Sequence, residues 1–545
     1  MRPRAATALA AALAAAAFAA SGARGAPPEP PRLVLVVAVD QLRPDRLDAA
    51  LPGGLGRLVR EGRSFDGWLD HGMTETCPGH ATMLTGRQPA ALGIPSNEFF
   101  DEATGAEVYC AYDPSEGARE IGGATGLSPA SLRADALGDW LKRARPGSRV
   151  FTVSGKDRGA IMLGGKHPDG AYWYRAGAPP RFTTSRYYRD ALPPWVDAWN
   201  GAHPPEDGFL AGLPEVWEHG PVAADSVEDD FPGEGGRFSR TSPHPLRSPD
   251  LERFGEQLFA SPYLDELTLA FAQRLVEQEG LGRGPSPDLL GVSLSANDII
   301  GHTYGPASRE AQDALRRLDA ALGGFLDALE ARTWGRLTVV LTADHGVLPL
   351  PEWLERTGQA TCPGPGRTSV TRVGADLLAR LWWRHGPWLS RPRAWVHFAG
   401  SQGRVDRELA ALRGVAPEAV AAEAKVVLES WPAIAHVWTA AEIASGEGEI
   451  AELYRHSFVP GRSGDFVVEP ARGCLLSPYD TGTSHGSPWD YDRRVPIVFF
   501  GTGVAPGVVP ERAATIDLAP TLAALLGVPA PPDLDGRALA LAPER

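Results

Sequence analysis

Lysine is scarce in this chain of 545 residues: only Lys142, Lys156, Lys166 and Lys425 occur. Lys and Arg together number 53 against 67 Asp and Glu, a net charge of −14. That balance argues against nucleic acid as a steady partner, since a phosphate backbone is held by an excess of cations. Long apolar runs are missing too. The one extended stretch, residues 5–20, is alanine-rich and falls short of the ~20 strongly apolar residues that a spanning helix needs. No membrane span is therefore expected in the mature chain. Preceded by Arg2 and Arg4 and followed by the small residues of Ala23-Arg24-Gly25, the stretch reads as a secretory leader over residues 1–25. Its loss removes three arginines and no acid, moving the charge from −14 to −17, and it predicts a periplasmic or secreted protein.

Cysteine is equally sparse. Cys77, Cys110, Cys362 and Cys474 include no Cys-x-x-Cys pair, which excludes a zinc ribbon. An even count in an exported chain predicts two disulfides, with three pairings open. Neither disorder nor a collagen-like repeat fits 43% hydrophobic and 22% charged residues. The length suits either three or four domains or one large α/β domain with insertions.

What is present is a set of short apolar runs that end in polar residues. Residues 33–39 end at Asp40, 289–294 lead to Asp298, 337–341 lead to Asp344-His345, and 495–500 end at Gly501. Such runs suit parallel strands buried on both faces. Between them, Ser308 is placed to cap a helix carrying Leu315, Leu318, Leu322, Phe325 and Leu329 at helical spacing. The fold class is α/β, with a mainly parallel central sheet flanked by helices. Two stretches break the alternation. Residues 201–249 are rich in Pro, Gly and acids, and 353–476 carry their own strand-like Ala394-Trp395-Val396-His397-Phe398. The predicted division is core over 26–200, 261–352 and 477–545, an irregular insertion over 201–260, and an inserted cap over 353–476.

Ligands of open α/β sheets bind at the carboxyl ends of the strands. Asp40, Asp298, His302, Asp344, His345 and His485 collect there, and three Asp with three His suit two zinc ions with open positions for substrate. A second constellation is Thr74-Glu75-Thr76-Cys77-Pro78-Gly79-His80. A hydroxyl ahead of its Pro-Gly turn would meet both a metal and a helix N-terminus, and each favours an alkoxide. Three threonines and a cysteine compete for that role, and spacing alone selects none.

Taken in order, the strand ending in Asp40, the Thr76-Cys77-Pro78-Gly79-His80 turn, Asp298-x-x-x-His302-x-x-Gly305-Pro306, Thr342-Ala343-Asp344-His345-Gly346 and Gly482-x-x-His485-Gly486 resemble the alkaline phosphatase superfamily. The resemblance implies its core fold with inserted cap segments. It also implies one zinc on Asp298, His302 and His485, and a second on Asp40, Asp344 and His345. Sulfatases carry Cys-x-Pro-x-Arg here; aligned on Pro78, their cysteine falls on Thr76 and their arginine on His80, so Cys77 is one place off. Gly93-Ile94-Pro95-Ser96-Asn97 resembles the loop of the threonine-nucleophile branch, shared by nucleotide pyrophosphatase/phosphodiesterases and PafA-type alkaline phosphatases. Ser154-Gly155-Lys156-Asp157-Arg158 resembles the Lys-x-Arg pair of the PafA-type monoesterases.

This resemblance implies that Thr76 is the nucleophile and a metal ligand, and that Asn97, Lys156 and Arg158 hold the phosphoryl oxygens. It also implies Cys77 paired with Cys110, since Asn97 and Thr76 then meet one phosphate, and Cys362 paired with Cys474. A monoester carries about one more negative charge than a diester, so extra cations select for it. On a strand, Lys156 and Arg158 would face the same side. The expected protein is an exported alkaline phosphatase with two Zn2+, acting on small phosphate monoesters through a phosphothreonine. The alternatives are a phosphodiesterase or nucleotide pyrophosphatase on the same core and, more distantly, a non-catalytic zinc-binding protein.

Overall fold

A computed structural model describes residues 29–201, 212–221, 227–235, 239–386 and 394–542; the leader predicted over 1–25 lies outside them. The centre of the molecule is the strand β1 (Leu33–Val39), all seven residues of which are buried. It runs parallel to a neighbour on each side, and its alternate residues enter two separate apolar clusters, one on each face, which is why the segment carries no polar alternation. Around it lie β2 (Arg63–Trp68), β3 (Val150–Ser154), β4 (Gly170–Arg175), β5 (Arg181–Thr183), β6 (Asp288–Leu294), β7 (Leu337–Thr342), β8 (Ile497–Gly501) and β9 (Gly507–Ala514), in the order β9-β2-β8-β7-β1-β6-β3-β4-β5. Five neighbours from β7 to β4 run parallel. The last apolar run departs from expectation: β8 is antiparallel to both β7 and β2. Burial on two faces yields the same apolar run whichever way a strand points, so direction was not readable from composition.

Four helices position the chemistry: α1 (Thr76–Thr85), α2 (Asp157–Gly164), α3 (Ala296–Tyr304) and α4 (Arg309–Thr333). In α4 the Ser308 hydroxyl accepts the Ala311 N–H, the cap its sequence predicts. Every residue of α1 is buried. Its Pro78 and Gly79 form the first turn of the helix and not a separate turn before it, because proline lacks only an N–H that has no partner there. A Cβ at Gly79 would lie 2.3 Å from the Asp344 carbonyl oxygen, so glycine is what lets α1 seat against the loop after β7.

The described part of the segment 353–476 forms its own layer. Strands Val396–Ala399, Gln402–Val405, Phe466–Pro470 and Ile434–Thr439 lie in that order as an antiparallel sheet. Helices Val370–His385 and Pro417–Leu428 pack on it around Leu377, Leu381, Trp395 and Phe466. The described residues of 201–249 hold only the two-residue strands Val216–Trp217 and His244–Pro245. Disulfides join Cys77 to Cys110 and Cys362 to Cys474.

Candidate active site

The carboxyl ends of β1, β6 and β7 deliver Asp40, Asp298 and Asp344 to one buried centre. Asp40 accepts hydrogen bonds from the Ser293 and Ser295 hydroxyls at 3.0 and 3.1 Å. Lys156 Nζ lies between two of these carboxylates, 3.0 Å from Asp40 Oδ2 and 2.6 Å from Asp298 Oδ2. Gln41 ties Asp298 to the third, donating its side-chain amide to Asp298 at 2.7 Å and its backbone N–H to Asp344 at 3.1 Å.

The histidines share a feature that settles their tautomers. His302 Nδ1 lies 2.7 Å from the Thr483 carbonyl, His485 Nδ1 2.7 Å from that of Thr74, and His345 Nδ1 3.0 Å from that of Gly346. A carbonyl only accepts, so each Nδ1 carries a proton and each Nε2 is the nitrogen turned toward the centre. That is how metal-ligating imidazoles are oriented by their surroundings. Positive φ at Gly482 (77°) helps, for a Cβ there would lie 2.5 Å from the His302 carbonyl oxygen, and the loop carrying His485 packs against α3 by that approach.

The imidazoles and carboxylates crowd into two overlapping sets. The rings of His345 and His485 stack at 3.4 Å, so Asp298, His345 and His485 converge as one set. The second comprises Asp40, Asp344 and His80. His80, one helical turn beyond Thr76, lies 3.4 Å from both Asp40 and Asp344, while His302 Nε2 stands 3.2 Å from Asp298. His345 Nε2 also lies 3.2 Å from Asp344 Oδ2, so its ring stands between Asp344 and His485. The atoms Asp344 Oδ2, His345 Nε2 and His80 Nε2 are buried without hydrogen bonds. Three buried carboxylates with Lys156 as their cation leave surplus negative charge, and polar atoms without hydrogen bonds surround it. Asp and His together are a donor set for divalent metal, so these residues fit the ions that the motifs imply.

Electrostatics divide the histidines. Burial opposes charge on His345, but Asp344 and Asp298 outweigh it and raise its pKa to about 9. Burial and the nearby His345 and His302 hold His485 well below its usual value. Asp298, despite burial, is held well below the carboxylate range by His302 and Lys156.

Thr76 is the first residue of α1 and is 1% exposed. Beside it the Cys77 N–H donates to Asn97 Oδ1 at 2.8 Å, the Asn97 N–H donates to Glu75 at 2.8 Å, and the Cys110 N–H donates to the Asn97 carbonyl at 2.8 Å. With its oxygen committed, the Asn97 side chain offers its N–H donors to the cavity.

A model of type I phosphodiesterases and nucleotide pyrophosphatases matches residues 34–489. The chain belongs to that family. It is 34% identical to the alkaline phosphatase PhoK of a Sphingomonas species, over 94% of this chain and 91% of PhoK. It is 32% identical to the alkaline phosphatase PhoD of Zymomonas mobilis, over 94% and 88%. The crystal structure of the alkaline phosphatase PafA matches with a TM-score of 0.85 at 27% identity, covering 94% of this chain and 99% of PafA. PafA has also been solved with a threonine, an asparagine, a lysine and an arginine replaced together. Within the family the chain is thus an enzyme of the alkaline phosphatase group.

In this family member a cavity of about 620 Å³ is lined by Thr76, Asn97, Arg158, Asp298, His302 and His485. Asp40, Asp344, His345 and Lys156 do not line it and lie buried around the same centre. The strand expected through Lys156 and Arg158 ends earlier, at Ser154. Lys156 stands just before α2 and Arg158 in its first turn, so helical geometry, and not the pleat, aims the two side chains. Arg158 reaches Tyr109 Oη at 3.5 Å, and that hydroxyl donates to Asp157 at 2.6 Å. Gln41, Glu75 and His80 also belong to this site, without a role assigned to them by the motifs. Only His80 carried a signal, its spacing of four from Thr76.

Proposed function

We propose that this protein is an exported, zinc-dependent alkaline phosphatase that hydrolyses phosphate monoesters through a phosphothreonine at Thr76. The supporting observation is a buried threonine hydroxyl at the N-terminal end of α1, in one cavity with Asn97, Arg158, Asp298, His302 and His485. Asp298, His302 and His485 would hold one zinc, and Asp40, Asp344 and His345 the other, with Thr76 beside it. The stacking of His345 on His485 and the place of His80 make a shared centre more apt than two separate ones. Such ions, when bound, supply positive charge that favours an alkoxide and lowers the pKa of water.

The chain's own groups do the rest. The positive end of the α1 helix dipole favours negative charge on Thr76 Oγ, which attacks phosphorus as the leaving alcohol departs; water then cleaves the phosphothreonine. Asn97 N–H donors and the Arg158 guanidinium hold the phosphoryl oxygens, where charge resides in the transition state. Lys156, joined to Asp40 and Asp298, adds positive charge to the centre and keeps both carboxylates in register. Residues 1–25 act as the export leader. Core, insertion and cap divide at 26–200, 201–260, 261–352, 353–476 and 477–545. Mass spectrometry of acid-quenched, zinc-loaded protein should locate the phosphoryl group on Thr76, and Thr76→Ala should abolish it while Thr76→Ser retains measurable turnover. A phosphoryl group on Thr74, or undiminished turnover by Thr76→Ala, rejects the reading.

A further inference from the structure

The cavity that opens at Thr76 extends under the segment 353–476, and its far wall is made almost wholly of hydrocarbon. Val373, Phe398, Leu428, Ile434, Val468 and Leu475 line it. Val373, Leu428, Ile434 and Val468 belong to that layer's own packed core, so the edge of this core forms part of the cavity wall. Phe398 is 37% exposed, an apolar ring with its surface uncovered. The hairpin that carries it is fastened to the site by one hydrogen bond and passes close to Glu75. Gln402 Nε2 donates to Ser96 Oγ at 2.7 Å, next to Asn97, and a Cβ at Gly400 would lie 3.5 Å from Glu75 Oε1, beside Thr76.

We propose that this cavity receives the alcohol portion of the substrate and selects phosphate monoesters of apolar alcohols, alkyl or aryl. This rests on the phosphomonoesterase reading above and names its substrate class. The chemistry of the lining excludes the obvious competitors. Arg158 is the one lysine or arginine on the lining of the cavity, whereas Glu75, Glu98 and Asp492 also line it. A second phosphate on the leaving group would meet acids and no cation of its own. Sugar hydroxyls fare little better: among the lining serines, Ser487 Oγ is already committed to Asp492 at 2.6 Å, and a buried hydroxyl without a partner is disfavoured. A volume of about 620 Å³ lies within the ordinary range for a small-ligand pocket and accommodates a six- to eight-carbon chain or an aromatic ring.

The test uses zinc-loaded enzyme and ethyl, butyl, hexyl and octyl phosphate, whose alcohols are of nearly equal basicity, so that kcat/KM reports contact with the leaving group. Each methylene that enters the cavity should raise kcat/KM about fourfold, the equivalent of about 0.8 kcal/mol per buried methylene. Glycerol phosphate should fall at least tenfold below propyl phosphate. Phe398→Ser and Leu475→Ser should each lower the octyl-to-ethyl ratio about tenfold. A flat series with ethyl phosphate readily hydrolysed overturns the pocket and spares the phosphatase reading. A rising series untouched by both substitutions moves the contact elsewhere and overturns it too. Absence of hydrolysis of every monoester overturns the reading on which it rests.

Discussion

Arg158 and Lys156 show how two neighbouring cations acquire different parts. Lys156 is spent on two buried carboxylates at 3.0 and 2.6 Å, and removing it would leave both without their cation, a change that disturbs the whole centre. Arg158 touches Tyr109 and faces the cavity, so it is the cleaner probe of substrate charge. Charge-assisted hydrogen bonds contribute roughly 1.5–3 kcal/mol each. Arg158→Ala is therefore expected to lower kcat/KM on a monoester by about ten- to a hundredfold, and on a diester by far less. Equal losses on both, at unchanged zinc content, would show that Arg158 does not read the additional charge and would favour a diesterase.

At the scale of elements, the loop 227–235 braces the site from behind. Its Gly235 N–H donates to the Thr303 carbonyl at 2.7 Å at the end of α3, and its Gly233 carbonyl accepts from Gly482 at 2.8 Å in the loop that carries His485. Glu234 sits in this loop almost fully buried. Burial, and then the like charge of Glu310, raise its pKa to about 9, while in the unfolded chain it titrates near 4.3. Between those values the folded state binds the extra proton, so stability falls as pH rises from about 5 to about 9 and levels off above. Glu234→Gln should flatten that slope and raise the unfolding midpoint at pH 9 relative to the parent. Thermal melts from pH 5 to 10 decide it: an unchanged slope in the variant means that Glu234 is ionised in the fold.

For the molecule as a whole, the two disulfides act at different ranges. Cys77–Cys110 closes 33 residues around the Asn97 loop, and Cys362–Cys474 spans 112 residues, nearly the entire layer over the cavity. In the chain-entropy account a loop of that length contributes up to about 4–5 kcal/mol by constraining the unfolded state. Replacing Cys362 and Cys474 together by serine should lower the thermal midpoint clearly, and more than reduction lowers it in the variant that already lacks the bond. A midpoint equal to that of the parent would show that the bond is dispensable to the unfolding equilibrium. Among the described residues no helix is long and apolar enough to cross a membrane.

The sequence by itself determined the central strands and the family. Apolar runs long enough for one strand, ending in Asp40, Asp298 and Asp344, can be buried on both faces only inside a helix-flanked sheet, and the order of the motifs along the chain is a one-dimensional fact. Tertiary structure alone decided which groups meet. Asp40 and Asp298 are joined by a lysine 116 and 142 residues away. His345, 3.2 Å from Asp344, also stacks on His485 from a distant loop, and His80 enters between Asp40 and Asp344 because α1 seats against the loop after β7. The direction of β8 and the helical setting of Lys156 and Arg158 were hidden for the same reason. Burial pattern records how much water a residue loses, whereas partner and direction depend on contacts between segments far apart in the chain, and these exist only once the core has closed.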